Sequence, residues 1–537
     1  LGFLDSKLRD LQGIANLAYE LIQNADDVKD DQGRPGASRI AFDVRDDALV
    51  VENDGVFRDV DFQRMQNVAS GGKREEFGTT GAFGVGFIAV YQVTDHPEIL
   101  SSGRHWIIRP EAPDGKRIEE RDVPTEGTRF RLPWAFDPHS EVRRKLRLDA
   151  IEPEQPPTLL REIGEAMRLA ALFLKQLQLL ELKRNGQVVQ QIARETDGDT
   201  IVIQEGHRVL TWTILRGDFE GKAVELRDRH SWIEDKRGAD VVVAMPDELP
   251  DSGRLFAVLP SETVLPLPFH INADFYPSSD RKHIIFSQDY QSRWNRAAVR
   301  AAAGALVDGL DGLPKVLGHE GLWRLLEKLD TCRQQVERGE HDNVFASFWN
   351  KIAPTLPSRR ITFTADRRWV KPDQARLLET EDEIAASSIL EDLGVPVVHP
   401  DLRPYFGLMR KSEIGTPLLT VPDVVGSLRE VGLASDTPLE EAPSCLRSRE
   451  RWSVLWRALD ALLDRRQSRE TRQWSEERLK RCAIALDTEN GLRRPGDLYR
   501  GEPRTRQLFP EVDWLADCGE SDAVPSRLVP AFRVRNA

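Results

Sequence analysis

At 537 residues the chain is long enough for about three domains, and its 40% hydrophobic and 30% charged residues are the composition of a globular protein rather than a disordered or fibrous one. The formal net charge of −13 excludes any global attraction to nucleic acid or to anionic lipid. Four scattered cysteines, Cys332, Cys445, Cys482 and Cys518, have neither CxxC spacing nor nearby histidines, which speaks against a zinc site or a disulfide framework and for a reducing compartment. No run of about 18 apolar residues occurs, so no membrane span is expected and a cytoplasmic location is. The chain opens at Leu1 inside a helical pattern without Met or signal peptide, so further residues upstream are expected.

Leu11, Ile14, Ala15, Ala18, Leu21, Ile22 and Ala25 recur at helical spacing and predict an amphipathic helix. On it Glu20 and Asn24 stand four residues apart and Asp27 follows three later, so two carboxylates and a carboxamide share one face. Such hard oxygen ligands suit Mg²⁺ with waters retained, and a carboxylate beside them can act as general base on an attacking water. By itself the stretch reads as a solvated polar face. The motifs that follow change that reading.

Past a polar loop, Arg39–Arg45 and Ala48–Glu52 alternate as two paired strands. The second runs into Asn53-Asp54-Gly55, ordinarily just a turn, which also sets short polar side chains and a permissive glycine at a sheet edge where a ligand can lie. Phe62–Val68 predicts a short helix, and Ser70–Thr80, which carries Lys73, a polar lid. Then come Gly81, Phe83, Gly84, Val85, Gly86 and Phe87 ahead of an apolar helix. Amides there, with a helix N-terminus behind them, make an anion cradle for phosphates, although such glycines also serve tight helix packing. The segment differs from the dinucleotide-binding form because it follows a polar lid instead of an apolar strand. Glu126–Leu132 opens another strand, with the Thr128 hydroxyl beside Gly127.

In this order the motifs resemble the GHKL ATPase superfamily, which includes gyrase B, histidine kinases and the ninety-kilodalton heat-shock chaperone. The stretches ELIQNADD and GAFGVGFIAVYQVTD look most like its sacsin-type, chaperone-like branch. The resemblance covers about the first 135 residues. It implies a Bergerat fold, an α/β sandwich holding Mg-ATP between helices and lid. It puts Glu20 where the family has its water-activating base, Asn24 at the Mg²⁺-binding asparagine and Asp27 at a polar residue of the pocket. Gly81, Gly84 and Gly86 fall on the phosphate-facing glycines, with Lys73, Phe83, Val85 and Phe87 in the same nucleotide-binding set, and Thr128 near the adenine. One departure stands out: most of the family has Asp two residues before Gly55, where this chain has Asn53. Asn accepts through its carbonyl oxygen, and Asp54 takes its place if the turn is shifted by one.

Pro133–Pro157 is polar and Pro-bearing, as a linker would be, and the Arg-rich run Arg143–Arg147 reads as a solvated helix face. Thr158–Leu180 predicts an amphipathic helix, Asn185-Gly186 a hairpin turn, and 200–204, 208–215 and 241–244 strands. His270 and Asn272 read as core or turn residues, and Ser292–Leu310 as a helix. A strand domain in this place resembles the family's transducer domain, which donates a cation to the γ-phosphate. Arg281 is the candidate, with Lys282 second. Further on the pattern is helical with short strands, without a nuclease, protease or metal motif, and Trp349, Trp369, Trp452, Trp456, Trp474 and Trp514 read as core anchors.

The expected class is therefore α+β: a nucleotide-binding domain over 1–135, a transducer-like α/β domain over 136–314 and a mixed, helix-rich region over 315–537. The expected activity is slow Mg-ATP hydrolysis in a chaperone-like conformational switch, with a protein partner or client and ATP-dependent dimerisation. The alternatives are the ATPase of a bacterial nucleic-acid-directed defence system, which the acidic charge does not support, and a non-catalytic nucleotide-binding scaffold.

Overall fold

The computed structural model describes residues 13–30, 32–70, 85–113, 115–278, 282–380, 383–465, 468–516, 524–530 and 532. The chain has two compact units, Leu1–Gly309 with Lys328–Phe348, and Leu310–Glu327 with Trp349–Ala537. Both mix helix and strand, as the α+β class requires. Among the described residues no helix is long and apolar enough to cross a membrane.

In the first unit, α1 (Ile14–Asp26) is followed by β1 (Arg39–Val44), β2 (Ala48–Asn53), α2 (Asp59–Ser70) and a 3₁₀ helix, Val85–Gln92. Then come β3 (Glu98–Ser101), β4 (Arg104–Ile108), β5 (Ile118–Asp122), β6 (Thr128–Pro133), α3 (Glu141–Leu146) and α4 (Pro156–Ala170). Strands β7 (Leu179–Arg184), β8 (Gln187–Asp197), β9 (Thr200–Glu205), β10 (Arg208–Asp218), β11 (Asp240–Pro246), β12 (Gly253–Ala257), β13 (Leu259–Leu265) and β14 (His270–Ala273) complete one sheet, which α5 (Glu220–Arg229) and α6 (Tyr290–Gly309) accompany. Its order is β13-β12-β14-β11-β10-β9-β8-β7-β1-β2-β6-β3-β4-β5. The join in the middle is parallel: Ile40 of β1 lies opposite Leu180 of β7, and Phe42 opposite Leu182. A parallel join of this kind needs a long crossover, and α4 is the longest helix in it.

One core runs beneath this sheet, from Leu17, Leu21 and Ile22 of α1 through Phe42, Val51, Ile88 and Phe130 to Met167, Ile192 and Phe256. Each such side chain contributes about 1.5–3 kcal/mol on burial. The 133–157 segment, expected as a linker, also belongs to that core through Trp134, Val142, Leu146 and Ile151. Arg143, expected on a solvated face, is buried. Its Nε donates to Asp95 Oδ1 at 2.8 Å and its Nη1 to the carbonyl oxygens of Gln92 and Asp149. A helix one and a half turns long has few residues to offer the core, and here the guanidinium is drawn in by a carboxylate and two carbonyls.

The helix expected over 158–180 stops earlier. After α4 comes a 3₁₀ turn, Ala171–Phe173, and Leu174 is extended. The amides of Lys175, Gln176 and Leu177 donate to the Asp26 carboxylate at 2.8, 2.9 and 3.0 Å. That carboxylate satisfies amides a helix would have paired internally, and so frees the chain to enter β7. The Asn185-Gly186 hairpin is as expected, with φ of +48° and +82°.

The second unit packs α7 (Glu383–Asp392), α8 (Val421–Glu430), α9 (Arg449–Asp464) and α10 (Arg469–Leu479) around Leu390, Val424, Leu459 and Leu479. Trp452 and Trp456 anchor this core as expected, whereas Trp474 is 43% exposed, with Arg478 lying over its ring at 4.8 Å. A guanidinium over the indole face lets that ring stay in water.

Candidate functional site

Helix α1 begins after Gly13, whose amide donates to Gln92 Oε1 at 2.6 Å, so its start is tied to the end of the 3₁₀ helix. Its apolar stripe faces the core, and its polar residues Glu20, Asn24 and Asp26 are buried as well. Glu20 and Asn24, one turn apart, are each only 7% exposed. The solvated-face reading therefore fails. Asp27 caps α1 at the edge of this region and is ion-paired with Lys175 Nζ at 2.9 Å. Its neighbour Asp26, which the sequence reading passed over, is the more buried and holds the segment before β7. Only its adjacency to Asp27 hinted at that role.

The end of α1 meets the turn after β2. The Gly36 amide donates to the Val28 carbonyl at 2.9 Å, and a Cβ at Gly55 would stand 2.8 Å from Val28 Cγ1 and 3.1 Å from Asn53 Oδ1. Glycine at 55 therefore allows the turn to close on α1. Asn53 is buried and its Oδ1 accepts from the Gly55 amide at 3.0 Å. Asp54 points the other way: its carboxylate accepts from the Ser38 and Arg39 amides at 2.8 and 3.0 Å and from the Ser38 hydroxyl. Burial raises its pKa, yet the hydrogen bonds from Ser38 and Arg39 outweigh that and hold the carboxyl below its ordinary value. Asp54 fastens the entry to β1, and Asn53 is the side chain beside Gly55.

Across the sheet Asn53 pairs in register with Thr128 of β6. Thr128 Oγ1 donates to the Gly55 carbonyl at 2.9 Å and lies 2.8 Å from Ser101 Oγ. Ser101 Oγ accepts from the Phe57 amide at 2.9 Å. Register between β3 and β6 makes Ser101 part of this cluster, and nothing local in its sequence announces it. Gly127, at φ +68°, lies so close that a Cβ there would stand 2.4 Å from the Asn53 carbonyl oxygen. The structure thus brings Asn53, Gly55 and Thr128 into one hydrogen-bonded cluster, abutting the end of the helix that carries Glu20 and Asn24.

Phe87 lies in the packed interior, its ring 5.6 Å from that of Phe130. Val85 and Gly86 open the 3₁₀ helix, where a regular helix had been expected. Lys73, Gly81, Phe83, Gly84 and Arg281 lie outside the described residues. Lys282, the second cationic candidate, is 3.6 Å from Glu262. His270 is largely buried, as its core reading requires. Its Nδ1 accepts from the Arg254 amide at 2.9 Å and its ring stacks on Trp212. Both line a cavity of about 210 Å³ with Leu172, Ile203 and Phe256.

Comparison with known proteins gives one family: residues 7–121 match the Sacsin domain. No curated protein matches the chain. Among solved structures, a chain described as "Crystal Structure of N terminal domain of a DNA repair protein" is similar at 9% identity, with 51% of this chain and 90% of that one covered, at a TM-score of 0.30. So distant a likeness bears on neither fold nor function.

Proposed function

We propose that this chain is a GHKL-type, sacsin-like protein that binds Mg-ATP in its first unit and hydrolyses it slowly, as a chaperone-like conformational switch. The observation that carries this reading is the burial of a carboxylate and a carboxamide, Glu20 and Asn24, one turn apart on α1. Helical spacing puts this carboxylate and this carboxamide side by side, the pairing that a water-activating base and a Mg²⁺ ligand require. The Sacsin domain match over 7–121 spans the same residues.

The residues present fit the ligand. Asn24 offers a carboxamide oxygen of the kind Mg²⁺ takes together with waters and phosphate oxygens. Asn53 presents a side-chain carbonyl beside the tight Gly55 turn, suited to accept from an exocyclic amine. Thr128 fixes that turn through its bond to the Gly55 carbonyl. Mg²⁺, when bound, neutralises phosphate charge during transfer. Glu20 orients a water and takes its proton, the task of a general base.

Titration calorimetry of the whole chain with a non-hydrolysable ATP analogue, with and without Mg²⁺, tests this. Magnesium-dependent binding is expected, and absence of binding under both conditions would overturn the reading.

A further inference from the structure

In the second unit three residues distant in sequence converge: His319, His399 and Asp401. One ligand atom from each lies within 4.8 Å of the other two. His319 Nε2 is 3.2 Å from Asp401 Oδ2, and His399 Nδ1 is 3.2 Å from the same oxygen. Tetrahedral zinc with bonds of about 2.0–2.1 Å separates its ligand atoms by about 3.3 Å. We propose that these three side chains form a binding site for a zinc-class divalent cation, with a fourth position open to water.

The surroundings hold the ligands in place. Gly318, at φ +66°, breaks the helix Leu313–Glu337, so that His319 starts a new helical stretch. The Phe363 ring stacks on His319 at 4.7 Å and 19° and touches His399 at 5.6 Å. The His399 amide donates to the Phe363 carbonyl at 2.9 Å, which fixes the backbone between the two imidazoles.

The Asp401 amide stands 3.4 Å from His399 Nδ1 and the Asp401 carboxylate 3.2 Å from the same nitrogen, so Asp401 and His399 converge edge to edge. Two neutral imidazoles and one carboxylate suit Zn²⁺ and its neighbours among the divalent transition metals, whereas Mg²⁺ and Ca²⁺ take oxygen donors. The site belongs to the second unit and does not depend on the nucleotide reading.

The test uses the full chain, free of any affinity tag, stripped with chelator, loaded with Zn²⁺, desalted and assayed by mass spectrometry for bound metal. About one zinc per chain is expected, falling at least tenfold in His399→Ala and in Asp401→Asn. Reloading with Co²⁺ should give the visible absorption of a four-coordinate site in the wild type and not in either variant. Because the three side chains are partly exposed, both variants should fold, which circular dichroism checks, and His319→Gln supplies a third variant should one fail. A wild type that retains no zinc, or variants that retain as much as the wild type, would overturn the proposal.

Discussion

Glu20 and Asn24 differ in what their loss should do, because one would act on a water and the other on the metal. Glu20→Ala is expected to keep ATP-analogue binding while lowering turnover by at least about a hundredfold, the usual contribution of a positioned base. Asn24→Ala should lose both binding and turnover, as read by calorimetry and phosphate release. Equal turnover in wild type and Glu20→Ala would remove the mechanism. The sequence names both residues through their spacing. It does not show that they are buried, because burial depends on what packs over the helix. His270 is a second residue whose chemistry burial decides. Burial, and after it the Arg254 guanidinium, lowers its pKa from 6.5 to about 4. The unfolded chain therefore binds this proton first as pH falls. The contribution is whole above about pH 6.5 and is lost towards pH 4, amounting to about 3 kcal/mol. Urea unfolding of the first unit between pH 7 and 4.5 should show that loss, and His270→Gln should flatten it.

Single elements were legible where their signal is local. The Asn185-Gly186 turn needs two residues at positive φ, and that demand is written in the dipeptide. Helix α4 was legible at its start and not at its end, because its stop is set by Asp26, far away in sequence. Likewise α3 carries an arginine that looks like surface and is interior. Breaking its pair should be severe: Asp95→Ala leaves the buried Arg143 guanidinium without its carboxylate, at an expected cost of 3–5 kcal/mol in urea unfolding. The turn before β6 gives a sharper test of the candidate site. Gly127→Ala places a methyl group 2.4 Å from the Asn53 carbonyl, in a backbone conformation that alanine resists. It should weaken ATP-analogue binding as well as stability, whereas a substitution at the open turn Gly198 should affect neither binding nor the Asn53 turn.

At the scale of the molecule, one sheet of the first unit runs from β5 to β13 without interruption. A fragment ending at residue 135 would expose the parallel edge of β1 that β7 covers. Unpaired edges invite association, so size-exclusion chromatography of that fragment should show aggregates, and the full chain, in which β7 covers β1, should not. The net charge of −13 gives no global pull towards nucleic acid, so salt-dependent retention on duplex DNA would reveal a local basic groove and favour the nucleic-acid-directed alternative. The sequence by itself determined the α+β class, the order of the N-terminal motifs and the helix bearing Glu20 and Asn24, because periodicity and turn chemistry act over a few residues. Only the tertiary structure decided that Asn53 rather than Asp54 stands beside Gly55, that Ser101 joins Thr128, and that His319 meets His399 and Asp401. Those meetings depend on strand register and on the packing of distant segments, which no local spacing encodes.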